Sequence, residues 1–160
     1  MRLLKPQELK ILPIKNMDKK QLIKSKIEDS QFLCFAVLQD GSEYASTKRG
    51  IAPLFLPIKD NRSFFKGAYV ADKIIGKAAA ELLVYSGAEY VYAKTLSRLA
   101  AEVFVSYGVE YDYSTLTDKI INRSGDGPCP MEQAVSQSKS LGESFDLIQK
   151  KFDMLTKTSE

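Results

Sequence analysis

The chain has 160 residues, 44% of them apolar and 27% charged, with a formal net charge of +3. This length buries a core without disulfides or a metal, so one ordinary soluble domain is expected. The absence of histidine excludes Ser-His and Cys-His catalytic pairs and histidine-based metal sites, and no run nears the roughly 18 apolar residues of a membrane span.

Residues 1–16, with Pro6 and Pro13, read as an extended basic leader. Arg2, Lys5, Lys10, Lys15, Lys19, Lys20, Lys24 and Lys26 are opposed over that stretch only by Glu8 and Asp18. Such an arm suits an acidic partner or nucleic acid. No aromatic or Gly/Arg residues interleave the lysines to stack on bases, so a solvated face is expected and nucleic acid is not an expected partner. Met1 to Pro6 is not followed by the apolar core of a signal peptide, and two cysteines are too few for a secreted disulfide framework. The expected location is the cytoplasm, away from membranes.

From Met17 to Asp29 the spacing of Leu22, Ile23 and Ile27 predicts a short amphipathic helix. Phe32–Leu38 reads as a buried strand in which Cys34 is a small hydrophobe, Asp40-Gly41 as a hairpin turn, and Ser42–Ser46 as the returning strand. Gly50 to Pro57 is apolar but interrupted by two prolines, which predicts a loop or edge segment packed on the core. Tyr69–Ser86 reads as the longest helix, ended by Gly87 and apolar except for a stripe of Lys73, Lys77 and Glu81. Glu89–Ala93 is then a strand, Leu96–Tyr107 a helix ended by Gly108, and Val109–Tyr113 a strand, implying a right-handed crossover between parallel neighbours. The tail resumes as helix from Pro130, with Gly142 as a candidate break, and Phe145, Ile148, Phe152 and Leu155 keep one apolar face for the domain or a second subunit. The order of elements predicts a three-layer α/β/α sandwich with a mixed sheet, the core domain over 17–140 and a C-terminal helical extension over 141–160.

The most informative stretch runs from Ile120 through Asn122-Arg123-Ser124-Gly125-Asp126-Gly127-Pro128-Cys129-Pro130-Met131-Glu132. Pro130 suits a first helical position, so Cys129 is expected at a helix cap, where open amides favour a thiolate. The alternative is a buried structural thiol. Glu132 is placed to bond back to the cap's own amide, as in a capping box, or to touch a ligand. Asn122 and Arg123 either grip a phosphate or carboxylate or pin the loop.

Ligands of such sheets sit beyond the strand carboxyl ends, where helices begin, and Asp72, Thr95 with Ser97, and Cys129 are expected to meet there. Asp72 is a base, a ligand-orienting acid, or an ordinary helix-start acid. Gly76 allows close approach of a ligand, another backbone or the sheet. Lys77 either pairs with Glu81 on the surface or binds the ligand.

Three segments carry a resemblance: Val70 to Ala80 with its Asp72-Lys73-Ile74-Ile75-Gly76-Lys77 run, Glu89 to Ala93 with the following helix, and Asn122-Arg123 leading to Cys129-Pro130-Met131-Glu132. Over roughly Asp18 to Val135 the chain resembles a bacterial domain-of-unknown-function family, number 1893, grouped by fold with the cytidine deaminases. The resemblance implies a cytidine-deaminase-like fold. Zinc deaminases use His-x-Glu and Pro-Cys-x-x-Cys at two helix starts. This chain has no histidine, its second helix begins Thr95-Leu96-Ser97, and Cys129 has Glu132 where a second cysteine would stand. No metal and no cofactor are expected.

The resulting expectation is a protein without catalytic zinc that binds a small anionic or nucleotide-like molecule. Cys129 and Asp72 would be the chemical groups, and Lys77, Ser97, Asn122, Arg123 and Glu132 the binding groups. The alternative is a non-catalytic ligand-sensing or oligomerisation module whose Cys-Pro-Met-Glu loop is structural.

Overall fold

A computed structural model describes residues 18–158; the basic leader lies outside the described residues. Helix α1 (Asp18–Glu28) precedes a hairpin of β1 (Cys34–Val37) and β2 (Glu43–Ser46). Helix α2 (Ala52–Asp60) leads to β3 (Tyr69–Ile75), α3 (Lys77–Ser86), β4 (Tyr90–Ser97), α4 (Arg98–Tyr107) and β5 (Glu110–Thr117). A short α5 (Pro130–Ala134) and a long α6 (Leu141–Thr158) complete the described chain.

The sheet order is β2-β1-β3-β4-β5, with β1 antiparallel to both neighbours and β3, β4 and β5 parallel. On one face α1 lays Ile23 and Ile27, four residues apart, onto Phe35, Val37, Ala71, Tyr90 and Tyr92. The ammonium groups of Lys19, Lys20, Lys24 and Lys26 lie over aromatic rings of that layer. On the other face α2, α3, α4, α5 and α6 contribute Phe55, Leu83, Phe104, Met131 and Ile148 to the main core. The expected three layers and mixed sheet are present.

Several elements differ from the sequence reading. Residues 69–86 are a strand and a helix joined at Gly76, where one long helix was expected. Tyr69-Val70-Ala71 and Ile75 look apolar around a helical wheel because β3 is a central strand covered on both faces, which leaves no polar alternation to read. The segment after Gly50 is helix, with Pro53 in its first turn and Pro57 inside. Pro57 has no N–H to offer the Pro53 carbonyl four residues back, and the Tyr44 hydroxyl donates to that carbonyl instead, at 2.7 Å. Gly142 lies in the first turn of α6 without breaking it; the helical tail is interrupted at 135–140.

The parallel strands share one irregularity. Residues facing the main core are Val70 then Ile75 on β3, Val91, Ala93 then Leu96 on β4, and Tyr111 then Leu116 on β5. Strict two-residue alternation therefore slips by one near the carboxyl end of all three strands, turning Ile74 out to solvent at 55% exposure.

Candidate functional site

The carboxyl ends of β3 and β4 run directly into α3 and α4. Ser97 ends β4 and caps α4, its Oγ accepting the Ala100 amide at 3.1 Å. At the start of α3 the cap residue is Gly76, which has no side chain to serve the open amides, and Glu132 reaches over from α5 instead. Its Oε1 accepts the Lys77 amide at 2.7 Å and its Oε2 the Ala78 amide at 2.8 Å. A bidentate carboxylate thus occupies the place where a helix start would otherwise hold an anion. Gly76 is required by that approach: a Cβ there would lie 2.3 Å from Glu132 Oε1, while its φ of −102° is ordinary extended backbone. The expected capping box on Glu132's own helix is corrected accordingly, because the Cys129 amide donates to the Ile120 carbonyl at 3.1 Å.

Lys77 sends its ammonium to the Val135 carbonyl at 2.9 Å and makes no surface ion pair with Glu81. Glu81 is buried. Burial raises its acid above the usual carboxyl range, against the opposing pull of Ser144 and Lys77. Glu81 Oε2 is 2.7 Å from Ser144 Oγ, which is 2.6 Å from Ser138 Oγ, and Ser138 donates to the Ser140 carbonyl at 3.0 Å. Ser144 donates to the Glu81 carboxyl, which is the pull that opposes the effect of burial. This chain of bonds ties α3 to the start of α6.

Asp72 is not at a helix start. It lies in β3, paired in register with Cys34 of β1 on one side and Ala93 of β4 on the other. It is 6% exposed, and burial pushes its carboxyl up to about 8 despite hydrogen bonds from the Ile74 and Lys73 amides and the Cys34 thiol. Burial also holds the Cys34 thiol well above its ordinary value, with Asp72 adding to the effect. Asp72 therefore neighbours Cys34, where a crevice with Cys129 was expected.

Cys129 caps α5 without a side-chain hydrogen bond and packs half-buried on the core. Asn122 and Asp126 close their loop on each other through the Asn122 amide nitrogen at 2.9 Å and the Asp126 amide at 3.2 Å. Asn122 holds the Asp126 carboxyl below its usual value. Arg123 is exposed on the same loop.

An open cavity of about 360 Å³ lies beside the carboxyl ends of β4 and β5. Ser97 and Leu99 line it from α4, Asp118, Lys119 and Ile120 from the segment after β5, and Pro128, Glu132, Gln133 and Ser136 from around α5. Of the expected site residues only Ser97 and Glu132 line it; Asp72, Lys77, Asn122, Arg123 and Cys129 do not. The other lining residues were not among the expected site residues. The rule that ligands gather beyond strand carboxyl ends points to residues following β4 and β5, but it needed the correct strand ends. Among the described residues no group of three His, Cys, Asp or Glu side chains could hold a metal ion, and no helix is long and apolar enough to cross a membrane.

These features define an α/β domain with a mixed five-stranded sheet and a cavity at the crossover end of its parallel strands. The chain belongs to the family described as TM1506: Domain of unknown function (DUF1893), whose profile matches residues 22–152. It is similar to the crystal structure of a DUF1893 family protein (TM1506) from Thermotoga maritima, at 21% identity and a TM-score of 0.69 over 94% of this chain and 93% of that one. At that identity the likeness shows the fold. No curated protein matches the chain.

Proposed function

We propose that this protein is a small-molecule-binding module whose ligand occupies the cavity beside β4 and β5. The observation that carries this reading is the division of labour around Glu132. Its carboxylate is committed to the α3 amides, yet an open cavity remains against it at the carboxyl end of the parallel strands. Cavities of this size and position are the usual ligand sites of α/β sheets.

The lining favours part of the expected ligand class. Glu132 is already bonded to the α3 amides and Asp118 is paired with Arg98, beside Lys119 and apolar Leu99, Ile120 and Pro128. A molecule with an apolar face and a hydrogen-bonding edge suits this wall. A nucleobase or nucleoside fits that description, and kinship with the cytidine-deaminase fold, part of the same proposal, points the same way. Zinc chemistry has no place in it, and the cytoplasm is the proposed location, with both cysteines free. Binding without turnover is proposed because neither Asp72 nor Cys129 lines the cavity.

The chain has no tryptophan, so Leu99→Trp sets a single indole reporter in the cavity wall. Titration with nucleobases, nucleosides and inorganic phosphate is expected to give saturable fluorescence changes with bases or nucleosides, abolished by Ser136→Arg. No saturable change with any of them would refute the reading. Thiol chemistry at Cys129 is a second reading, supported by its partly buried position at a helix cap without a side-chain cap bond. Binding that survives Cys129→Ser favours the module; a covalent adduct lost in Cys129→Ser favours the thiol.

A further inference from the structure

The two edges of the sheet are unlike. β2 has four residues and is followed by Lys48 and Arg49, whereas β5 has eight, Glu-Tyr-Asp-Tyr-Ser-Thr-Leu-Thr, with no proline and no lysine. Proteins usually block a long edge with such residues or a covering element, because its open amides and carbonyls template further pairing. Among the described residues nothing is paired to the outer side of β5, and its own guard is small: Asp112 Oδ1 accepts the Tyr113 amide at 2.8 Å. Tyr113 is 39% exposed, and α4, which packs on β5, leaves Val105 and Tyr107 exposed at 69% and 51%.

We propose that β5 pairs antiparallel with β5 of a second copy about a two-fold axis between Ser114 and Thr115, joining two sheets into one. The register follows from the irregular strand. A two-fold axis perpendicular to a sheet opposes residues of the same face, and in a strictly alternating strand an axis between neighbours would oppose residues of different faces. The slip in β5 removes that obstacle. Tyr111 packs on the core, Tyr113 stacks on Tyr111 with ring centroids 6.4 Å apart, and Leu116 packs on the core, so all three share one face.

With the axis between Ser114 and Thr115, Tyr113 meets Leu116 of the other copy, Asp112 meets Thr117, and Glu110 meets Lys119. An exposed aromatic gains an aliphatic partner, and Glu110, which already pairs with Lys20 of its own chain, faces a second cation. An axis through Ser114 would instead set Glu110 against Asp118. That complementarity selects a second copy over an unrelated strand.

Sedimentation equilibrium of the full chain tests this, with a dimer of twice 17.9 kDa expected. Hydrogen exchange of the β5 amides should slow as concentration rises. Ser114→Lys combined with Thr115→Lys should give a folded monomer, whereas Ala45→Lys on the β2 edge should leave the dimer intact. Lys119→Glu, which sets like charges at Glu110 across the seam while leaving the Lys20–Glu110 pair in place, should weaken dimerisation by about tenfold. A monomer at all concentrations overturns the proposal, including one whose β5 amides are protected by the chain's own residues 1–17. A dimer indifferent to the β5 substitutions overturns it as well.

Discussion

Asp72 makes stability depend on pH in the opposite sense to an ordinary surface carboxylate, and Asp72→Asn isolates the effect. The carboxyl has a value of about 8 in the fold, raised by burial, against an ordinary 3.8. Between those values the folded state keeps the proton and the unfolded chain releases it, so the folded state binds more protons and stability falls as pH rises. Stability from this group is full below about pH 4 and is lost progressively up to about pH 8. Each pH unit across that window is worth at most about 1.4 kcal/mol, an upper bound of roughly 6 kcal/mol overall.

Relaxation around the ionised group lowers the real figure, yet even half of it is large against a typical total of about 5–15 kcal/mol. Asparagine has nearly the same shape, and its oxygen can still accept the Ile74 amide that Asp72 Oδ1 accepts at 3.1 Å. Urea unfolding of both proteins at intervals from pH 4 to pH 9 provides the assay. Glu81, also raised by burial, adds a slope of the same sign to both, so the quantity to read is their difference. Asp72→Asn should gain on the parent as pH rises, by several kcal/mol at pH 8. A pH-independent difference would show that Asp72 ionises freely in the fold and would refute the assignment.

Gly76→Ala should cost about 1–2 kcal/mol in chemical denaturation, because its Cβ would displace the Glu132 carboxylate from the α3 amides. Glu132→Ala should cost a similar amount, and the double variant less than the sum, since both remove one cap. Tyr44→Phe should lose about 1 kcal/mol by leaving the Pro53 carbonyl without its donor, read as a lower urea midpoint at unchanged slope. Under native conditions an alkylating reagent should label half-exposed Cys129 and spare fully buried Cys34, which should react only on unfolding, as mass spectrometry of the peptides will show.

The sequence determined the elements whose signals are local. The Asp40-Gly41 turn, Ile23 and Ile27 on one helical face, and Gly87 and Gly108 as left-handed helix ends all carry their meaning in a few neighbouring residues. The overall α/β class and three layers follow from the order of those elements. Tertiary structure alone decided residues 69–75, where apolar side chains on two faces suit a buried helix and a central strand equally until the neighbouring strands supply hydrogen bonds. It also decided the partners of the candidate site. Asp72 meets Cys34, and Glu132 meets the α3 amides, across separations of tens of residues. No local pattern encodes such meetings, because they depend on which strand lies beside which and on where each strand ends. Gly76 shows both sides: the sequence marked it as unusual inside an expected helix, and only the fold placed it at the start of α3 with the Glu132 carboxylate against it.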